Sequence, residues 1–144
     1  MGLFSKKEAV DRRYEALEAE YQNYRRRTAQ ELEAAHAKAA RETVLPFLDV
    51  YDDLSRALAM PCKDEAYYKG IKLTFENLML TFASLHIVPM DSKGKIFNPA
   101  YHEAVMRIED KTLRAEEIAD VLLTGFLMDD EVIRHAKVVV ANCD

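Results

Sequence analysis

A stretch without glycine or proline, from about Glu8 to Thr43, decides most of what this chain can become. Alanine, glutamate, arginine and glutamine dominate it, and these residues lose little side-chain entropy in a helix. At about 1.5 Å per residue the helix would be roughly 54 Å long, too long to fold back on a core of its own. The stretch therefore predicts a long helix that another helix stabilises.

Apolar and aromatic residues recur along one side of this predicted helix at alternating steps of four and three. Such spacing is the heptad seam of a coiled coil. Because the seam residues are mostly small or aromatic, we expect weak, heat-labile pairing with a second copy of the chain, although another helix would satisfy the same pattern. The seam comprises Tyr14, Leu17, Tyr21, Tyr24, Thr28 and Leu32.

The pattern widens after Val44 into a broad apolar stripe, which is typical of a helix in a bundle. Pro46 should interrupt the helix near residue 43, and Pro61 should end the next one. A second helix then reaches about Leu85, so the two form an antiparallel hairpin, and two hairpins would make a four-helix bundle in a homodimer. Gly70 within it is either a tolerated cost of about 1 kcal/mol or a point where another backbone approaches.

From about Ile87 to Ala141 the hydrophobic period becomes two, which predicts short strands. Gly94, Asp110 and the pair Asp129 and Asp130 are expected to mark hairpin connections. The segment is small, so its core should be thin and should lean on the helices. The predicted fold class is α+β, with a long dimerisation helix (1–43), a helical hairpin (44–87) and a small all-β domain (88–144).

Candidate chemistry is scarce in this sequence. His102 and Glu103 begin like a zinc-protease motif, but Met106 stands where the second histidine would be needed. The Asp49, Asp52 and Asp53 cluster is expected to be a solvated helix face, because it lacks the loop of a calcium site. We therefore predict no metal, no cofactor and no enzymatic activity.

The charge and the hydropathy of the chain argue against several classes of partner and location. Residues 88–144 carry seven basic and eleven acidic side chains, a net charge of −4, which argues against nucleic acid and anionic membranes. No apolar run reaches the ~20 residues of a membrane span, and no secretory signal is visible, so we expect a cytoplasmic protein.

Three successive arginines, Arg25 to Arg27, cannot all face the seam of one helix. They could serve solubility by pairing with glutamates of the same helix. They could also dock an acidic partner, because a guanidinium binds a carboxylate in a bidentate way.

Several segments of the chain together match one family pattern. They are Ala19–Thr28, Leu45–Asp49, Leu54–Leu58, Gly70–Thr74, Phe97–Val105 and Gly125–Phe126, followed by Asp130, Ile133, Arg134, Ala136, Val138 and Val140. These segments resemble the GrpE family of nucleotide exchange factors for DnaK-type heat-shock chaperones. The resemblance spans about residues 14–141, and the C-terminal segments are the most specific, since they follow the family's order and spacing.

The resemblance implies a homodimeric co-chaperone of the stress response and of protein folding. It implies that one β domain docks on the chaperone's ATPase domain, opens the cleft and accelerates ADP release. For Phe97 and Val140, burial in the core is the alternative role. Carried over by position, the partner-binding residues are Arg25, Arg26, Met60, Phe97, Pro99, Glu131 and Val140, with Gly70 and Gly125 as structural residues near the interface.

Two departures from the family pattern leave a second hypothesis open. Glu131 stands where the family often has an arginine, and the stretch between His36 and Pro46 is about three residues shorter than in typical members. A dimeric coiled-coil scaffold or adaptor of the same fold, without exchange activity, would accommodate both.

Overall fold

A computed structural model describes residues 2–143, apart from the side chains of Leu3 and Phe4. Met1 and Asp144, which the predicted segments 1–43 and 88–144 include, lie outside the described residues. Helix α1 runs from Gly2 to Val44, 43 residues, and begins six residues earlier than predicted. At about 1.5 Å per residue it is roughly 65 Å long.

The chain divides into two compact units, Met1–Ala40 and Arg41–Asp144. Every residue from Ser5 to Ala40 is exposed. Glutamate and arginine four residues apart stabilise this part of α1 locally, with Arg12 at 3.9 Å from Glu8 and Arg27 at 3.6 Å from Glu31. Both pairs are exposed, so each contributes only a few tenths of a kcal/mol.

The interruption that Pro46 predicts is confirmed. A 3₁₀ turn, Leu45–Phe47, follows α1, and helix α2 then runs from Leu48 to Ala59. Met60 is extended ahead of Pro61, and helix α3 runs from Glu65 to Ser84. Asp64 caps α3, since its side chain accepts hydrogen bonds from the backbone N–H groups of Ala66 and Tyr67. We refer to α2 and α3 as the helical hairpin.

Six strands follow, and they form two three-stranded sheets in what we call the β domain, residues 87–143. One sheet has the order β1-β4-β5 and is antiparallel; the other has the order β2-β6-β3, with β2 parallel to β6. The α+β class is thereby confirmed. The strands are β1 (Ile87–Pro89), β2 (His102–Ile108), β3 (Ile118–Leu123), β4 (Phe126–Met128), β5 (Glu131–Arg134) and β6 (Ala136–Ala141).

Only one of the three predicted hairpin connections is confirmed. Asp129 and Asp130, with φ of 49° and 66°, join the antiparallel strands β4 and β5. The predictions for Gly94 and Asp110 are wrong, because β1 pairs with β4, and β2 and β3 both pair with β6. Local turn residues were visible in the sequence, but the partner of each strand depends on contacts that are distant in the chain.

Two buried clusters stabilise the second unit. The shared core joins the hairpin to the first sheet, and the rings of Tyr51 and Phe126 meet edge to face at 4.9 Å within it. The sheet core is built from β3 and β6 of the second sheet, and Met90 and Phe97 of the loop before β2 pack against it. The shared core comprises Leu48, Phe82, Ile87, Phe126 and Met128, and the sheet core comprises Ile118, Ala136, Val138 and Val140.

The predicted boundary between residues 87 and 88 falls inside β1, and the helices before it share a buried cluster with the strands after it. Leu48 of α2 and Phe82 of α3 lie in one buried cluster with Phe126 of β4. A segment of this size buries too little apolar surface to be stable alone, which accounts for the shared core.

Candidate protein-binding surfaces

The seam of α1 is an uncovered apolar stripe. Tyr14, Leu17, Tyr21, Tyr24 and Leu32 are each between 55 and 67% exposed, and Thr28 is exposed as well. Apolar patches of this extent on a soluble chain mark sites of protein interaction. The spacing of four and three suits a second helix, so the seam stays a predicted dimer contact.

A second uncovered apolar face lies on the hairpin and the turn before it. Its large side chains are between 43 and 69% exposed. A bundle of four helices would cover such a face, which keeps that prediction open. The residues are Leu45, Phe47, Val50, Tyr67, Leu73 and Leu80.

Of the three successive arginines, one has a partner in its own helix. Arg27 pairs with Glu31, as the solubility interpretation expects. For Arg25 and Arg26, both exposed, the described residues provide no ion pair. Their guanidinium groups are therefore open to an acidic partner.

Met60 lies at the tip of the hairpin and is 64% exposed. It borders an open cleft of about 530 Å³ together with Leu58, Pro61 and Tyr68. A flexible thioether at the rim of an apolar cleft adapts readily to a partner surface. The predicted partner contact of Met60 is therefore sterically possible.

Phe97 and Pro99 occupy different environments in the loop before β2. Phe97 is half-buried and packs against the sheet core, whereas Pro99 is exposed. The backbone N–H of Phe97 donates to the carbonyl of Glu116 at 2.8 Å, which holds the loop on the sheet. Only Pro99 and one side of Phe97 could touch a partner.

Val140 is fully buried in β6, with 0% exposure. A side chain without accessible surface cannot contact a partner, so direct binding by Val140 is corrected to a role in the sheet core. The sequence left both roles open because Val138, Val139 and Val140 follow one another, and alternation cannot tell the inner residues from the outer ones.

Glu131 has a partner within its own chain. Its carboxylate lies 3.9 Å from the guanidinium of Arg41, at the start of the second unit. The glutamate that departs from the family's usual arginine thus forms an ion pair that arginine could not form. A role of Glu131 in partner binding stays a prediction, and it would compete with this pair.

The two predicted structural glycines differ sharply. A Cβ on Gly125 would lie 2.5 Å from the backbone N of Ala136 and 2.6 Å from the Sδ of Met90, so only glycine fits there. A Cβ on Gly70 would meet nothing within 4 Å. Among the described residues of one chain nothing approaches Gly70 closely, so the predicted close approach would involve another molecule.

His102 fixes the loop that carries Phe97 and Pro99. Its Nδ1 accepts the backbone N–H of Asn98 at 3.0 Å, so the neutral ring carries its proton on Nε2. Burial, helped by the nearby charges of Lys95 and His135, lowers the pKa of His102 below its ordinary value. The neutral form that the hydrogen bond requires is therefore favoured.

Sequence reasoning missed the apolar edges of the second sheet. Val105 and Met106 of β2 and Leu122 of β3 are between 45 and 55% exposed. Alternation of Met106 with Arg107 was a usable signal, but Leu122 lies in the apolar run Ile118–Leu127, where exposed and buried positions look alike. Because both strands are sheet edges, their backbone groups are also open to a partner.

The expectation that Asp52 belongs to a solvated face is wrong. Its side chain is only 16% exposed and forms a two-pronged ion pair with Arg134. Asp49 and Asp53, at 82 and 74% exposure, fit the expectation. Arg134 lies 82 residues further along, so no local pattern could indicate this pair.

Residues 2–143 contain neither a metal-binding cluster nor a membrane-spanning helix. No three His, Cys, Asp or Glu side chains there are grouped in a way that could hold a metal ion. None of the helices in that range combines the length and the apolar character that crossing a membrane requires.

The uncovered stripe of α1, the open face of the hairpin and the apolar sheet edges are exposed apolar surfaces of the kind that characterises interaction proteins. The sequence profile of the GrpE family matches residues 2–142. The chain therefore belongs to the GrpE family.

Individual relatives agree with the family match. The chain is 40% identical to Protein GrpE of Clostridium beijerinckii over 126 residues, which is 88% of this chain and 60% of that protein. It is 34% identical to Protein GrpE of Clostridium tetani over 140 residues, 97% of this chain and 70% of that protein. Against the Clostridium acetobutylicum protein, at 37% identity, it spans 62% of the relative's length. The chain thus spans about three-fifths of the first and third of these proteins.

Proposed function

We propose that this chain is an adenyl-nucleotide exchange factor, a cytoplasmic co-chaperone that accelerates ADP release from a DnaK-type chaperone. The observation that carries the proposal is the GrpE family match over residues 2–142. Its surfaces support it, since each predicted contact except Val140 has exposed or half-exposed atoms.

In this proposal the chain works as a homodimer. The seam of α1 pairs with its copy, and the hairpins of two copies cover each other's apolar faces. Burying a leucine or aromatic side chain stabilises an assembly by about 1.5–3 kcal/mol, and the stripe has five such residues that are more than half exposed. The burial of these side chains therefore favours pairing of two copies along α1.

The exchange activity needs no catalytic group. A factor that binds the open form of the chaperone's nucleotide cleft better than the closed form shifts the population toward the open form, from which ADP leaves. Reciprocity requires that bound nucleotide weakens the factor's affinity by the same ratio. Arg25, Arg26, Met60, Pro99 and the exposed side of Phe97 are the proposed contacts.

The direct test is the release of a fluorescent ADP analogue from a DnaK-type chaperone. We expect a large, saturable acceleration when this protein is added. No acceleration in the presence of an intact dimer would overturn the exchange function and favour the scaffold of the same fold, in which Glu131 is bound to Arg41 rather than to a partner.

Replacing Arg25 and Arg26 together by alanine tests the docking surface. We expect the concentration of this protein that gives half-maximal acceleration of ADP release to rise about tenfold. Charges at the rim of an interface mainly affect the rate of encounter and the alignment of the two proteins. Arg12→Ala with Arg13→Ala removes the same charge from the same helix and should leave that concentration unchanged. Equal affinity of the Arg25 and Arg26 variant at low salt would argue against their docking role.

A further inference from the structure

Arg134 connects three parts of the second unit. Its guanidinium donates two hydrogen bonds to Asp52 of α2, at 2.7 and 2.9 Å. It donates two more to the carbonyl of Thr124, at 3.1 and 2.8 Å. One side chain on β5 thus joins the hairpin to the end of β3.

These contacts lie where the chain passes between the two sheets. Thr124 and Gly125 lead from β3 to β4, and His135 alone leads from β5 to β6. Arg134 is the last residue of β5, directly before His135, and it lies opposite Phe126 in the ladder. With the loop from β1 to β2, the second sheet is therefore attached to the first at three crossings, and Arg134 contacts one of them and adjoins another.

The ion pair is shielded from solvent. The side chains of Arg134 and Asp52 are 14 and 16% exposed, and the guanidinium carbon lies 5.6 Å from the ring centre of Phe126 in the shared core. Water competes poorly for such hydrogen bonds, and a bidentate pair fixes both distance and angle. By contrast, the exposed pair of Arg56 and Asp53 on the same helix is 73 and 74% exposed.

Apolar packing alone does not set this geometry. The shared core attaches the first sheet to the hairpin, but the sheet core, whose buried residues come from β3 and β6, is a separate cluster. Burial of apolar surface is non-directional, so the cores by themselves do not fix the angle between the second sheet and the hairpin. A directional contact is needed to hold it at one angle.

We propose that Arg134 and Asp52 are positioning residues that hold the second sheet at a fixed angle to the helical hairpin. They contact no partner themselves. Resting on the proposed function, the pair would fix where the exposed edge residues Leu122, Val105 and Met106 lie relative to Met60 when the chaperone docks. A partner would then bind without the ordering cost that a loosely attached sheet imposes. Arg41 and Glu131, the latter 68% exposed, form a weaker ion pair between α1 and the first sheet.

The test is a distance measurement between spin labels in the full chain. One label is placed on Cys62, which is exposed at the hairpin tip, and one on Lys111→Cys, in the exposed turn after β2, with Cys143→Ser. Labelled protein is diluted with unlabelled protein so that distances within one chain dominate. We expect a narrow distribution for the parent protein.

Asp52→Asn keeps the shape of the side chain and removes its charge. We expect the distance distribution to broaden about twofold while the helical circular dichroism is retained, because one attachment opens and the cores remain. Asp53→Asn, one residue away in an exposed pair, is the matched control and should change nothing. A folded Asp52→Asn protein with the parent's distribution would overturn the proposal.

A second variant covers the case in which Asp52→Asn does not fold. Asp52→Glu keeps the ion pair and displaces it by one methylene group, so the mean distance should shift. An unchanged mean distance in this variant would also overturn the proposal.

Measuring ADP release with the parent protein and with Asp52→Asn distinguishes a failure of the positioning role from a failure of the proposed exchange function. We expect Asp52→Asn to raise the half-saturation concentration about tenfold with an unchanged plateau, as for a lost charge-assisted hydrogen bond. If the parent protein does not accelerate release at all, the proposed function fails, and the spin-label distances still decide the positioning role. If the parent accelerates release and Asp52→Asn has the parent's half-saturation concentration, the docking part of the inference fails.

Discussion

Residues 2–40 and residues 41–143 reach order by different means. The first region is a single helix in which every described side chain from Ser5 onward is exposed, and its stability within one chain comes from local hydrogen bonds and ion pairs. The second has two buried clusters and ladder contacts between distant strands. We therefore expect the first region to depend on a second helix for its stability, whereas the second region has its own core.

The largest expected effect comes from Leu17→Ala in the seam. If two copies pair along α1, each loses about 2 kcal/mol of apolar burial, so the dimer dissociation constant should rise roughly a thousandfold. Sedimentation equilibrium measures this constant. Glu18→Ala, the adjacent position off the seam, is the control, and an equal dimer constant for the Leu17 variant would show that α1 is held in another way.

Gly125→Ala should disrupt the second region and spare the first. The new methyl group would collide with the backbone of Ala136, which cannot yield as a side chain can, so we expect a loss of about 3 kcal/mol in the free energy of unfolding. Urea unfolding measures this loss, and hydrogen exchange of the backbone amides of β6 shows whether it lies in the second region. Unchanged protection of β6 would mean that the crossing can open to admit the methyl group.

Gly70→Ala distinguishes a helix surface that stays open from one that a second copy approaches. With nothing within 4 Å of the new Cβ, helix propensity favours alanine by about 1 kcal/mol in the isolated chain. Thermal unfolding of the dimer gives the answer. A gain in stability means that the surface is open, and a loss means that another backbone lies against Gly70.

The smallest expected effect is a pH dependence of the stability of the second region. The folded state lowers the pKa of His102 below 6.5, whereas the unfolded chain takes up a proton near that value. The stability of the β domain is therefore full above about pH 6.5 and falls as the pH drops through the lowered pKa.

His102→Gln should flatten the profile between about pH 7 and 5, because the amide oxygen can accept the Asn98 N–H without titrating. His36→Gln, on the exposed surface of α1, should leave the profile as it is. Denaturant midpoints across this pH range provide the measurement. A steeper loss of stability in acid for the His102 variant would contradict the assignment.

The region that lacks a core was the easier one to predict. The absence of glycine and proline and the spacing of the seam from Tyr14 to Leu32 are properties of one continuous segment. They can be recognised in the sequence without knowing any distant contact. The break near Pro46, the hairpin and the turn at Asp129 and Asp130 are local in the same sense. Of the candidate contacts, Arg25, Arg26, Met60 and Pro99 are exposed as a docking role requires.

The second region was predicted less completely because its decisive contacts join distant residues. The parallel pairing of β2 with β6 contradicted the expected hairpins, and Val140 proved to be buried rather than available to a partner. Asp52 looked like a solvated acid because its partner lies 82 residues away.

Periodicity, helix propensity and the residues of turns were thus enough to place the helices and most strands, whereas the family was indicated by the resemblance of particular segments. They act within a few residues, where backbone geometry relates spacing to orientation. Strand order, the sharing of one core by hairpin and sheet, the need for Gly125 and the pairing of Asp52 with Arg134 were set by the folded chain. Each depends on which distant atoms are brought into contact, and no spacing along the chain records that.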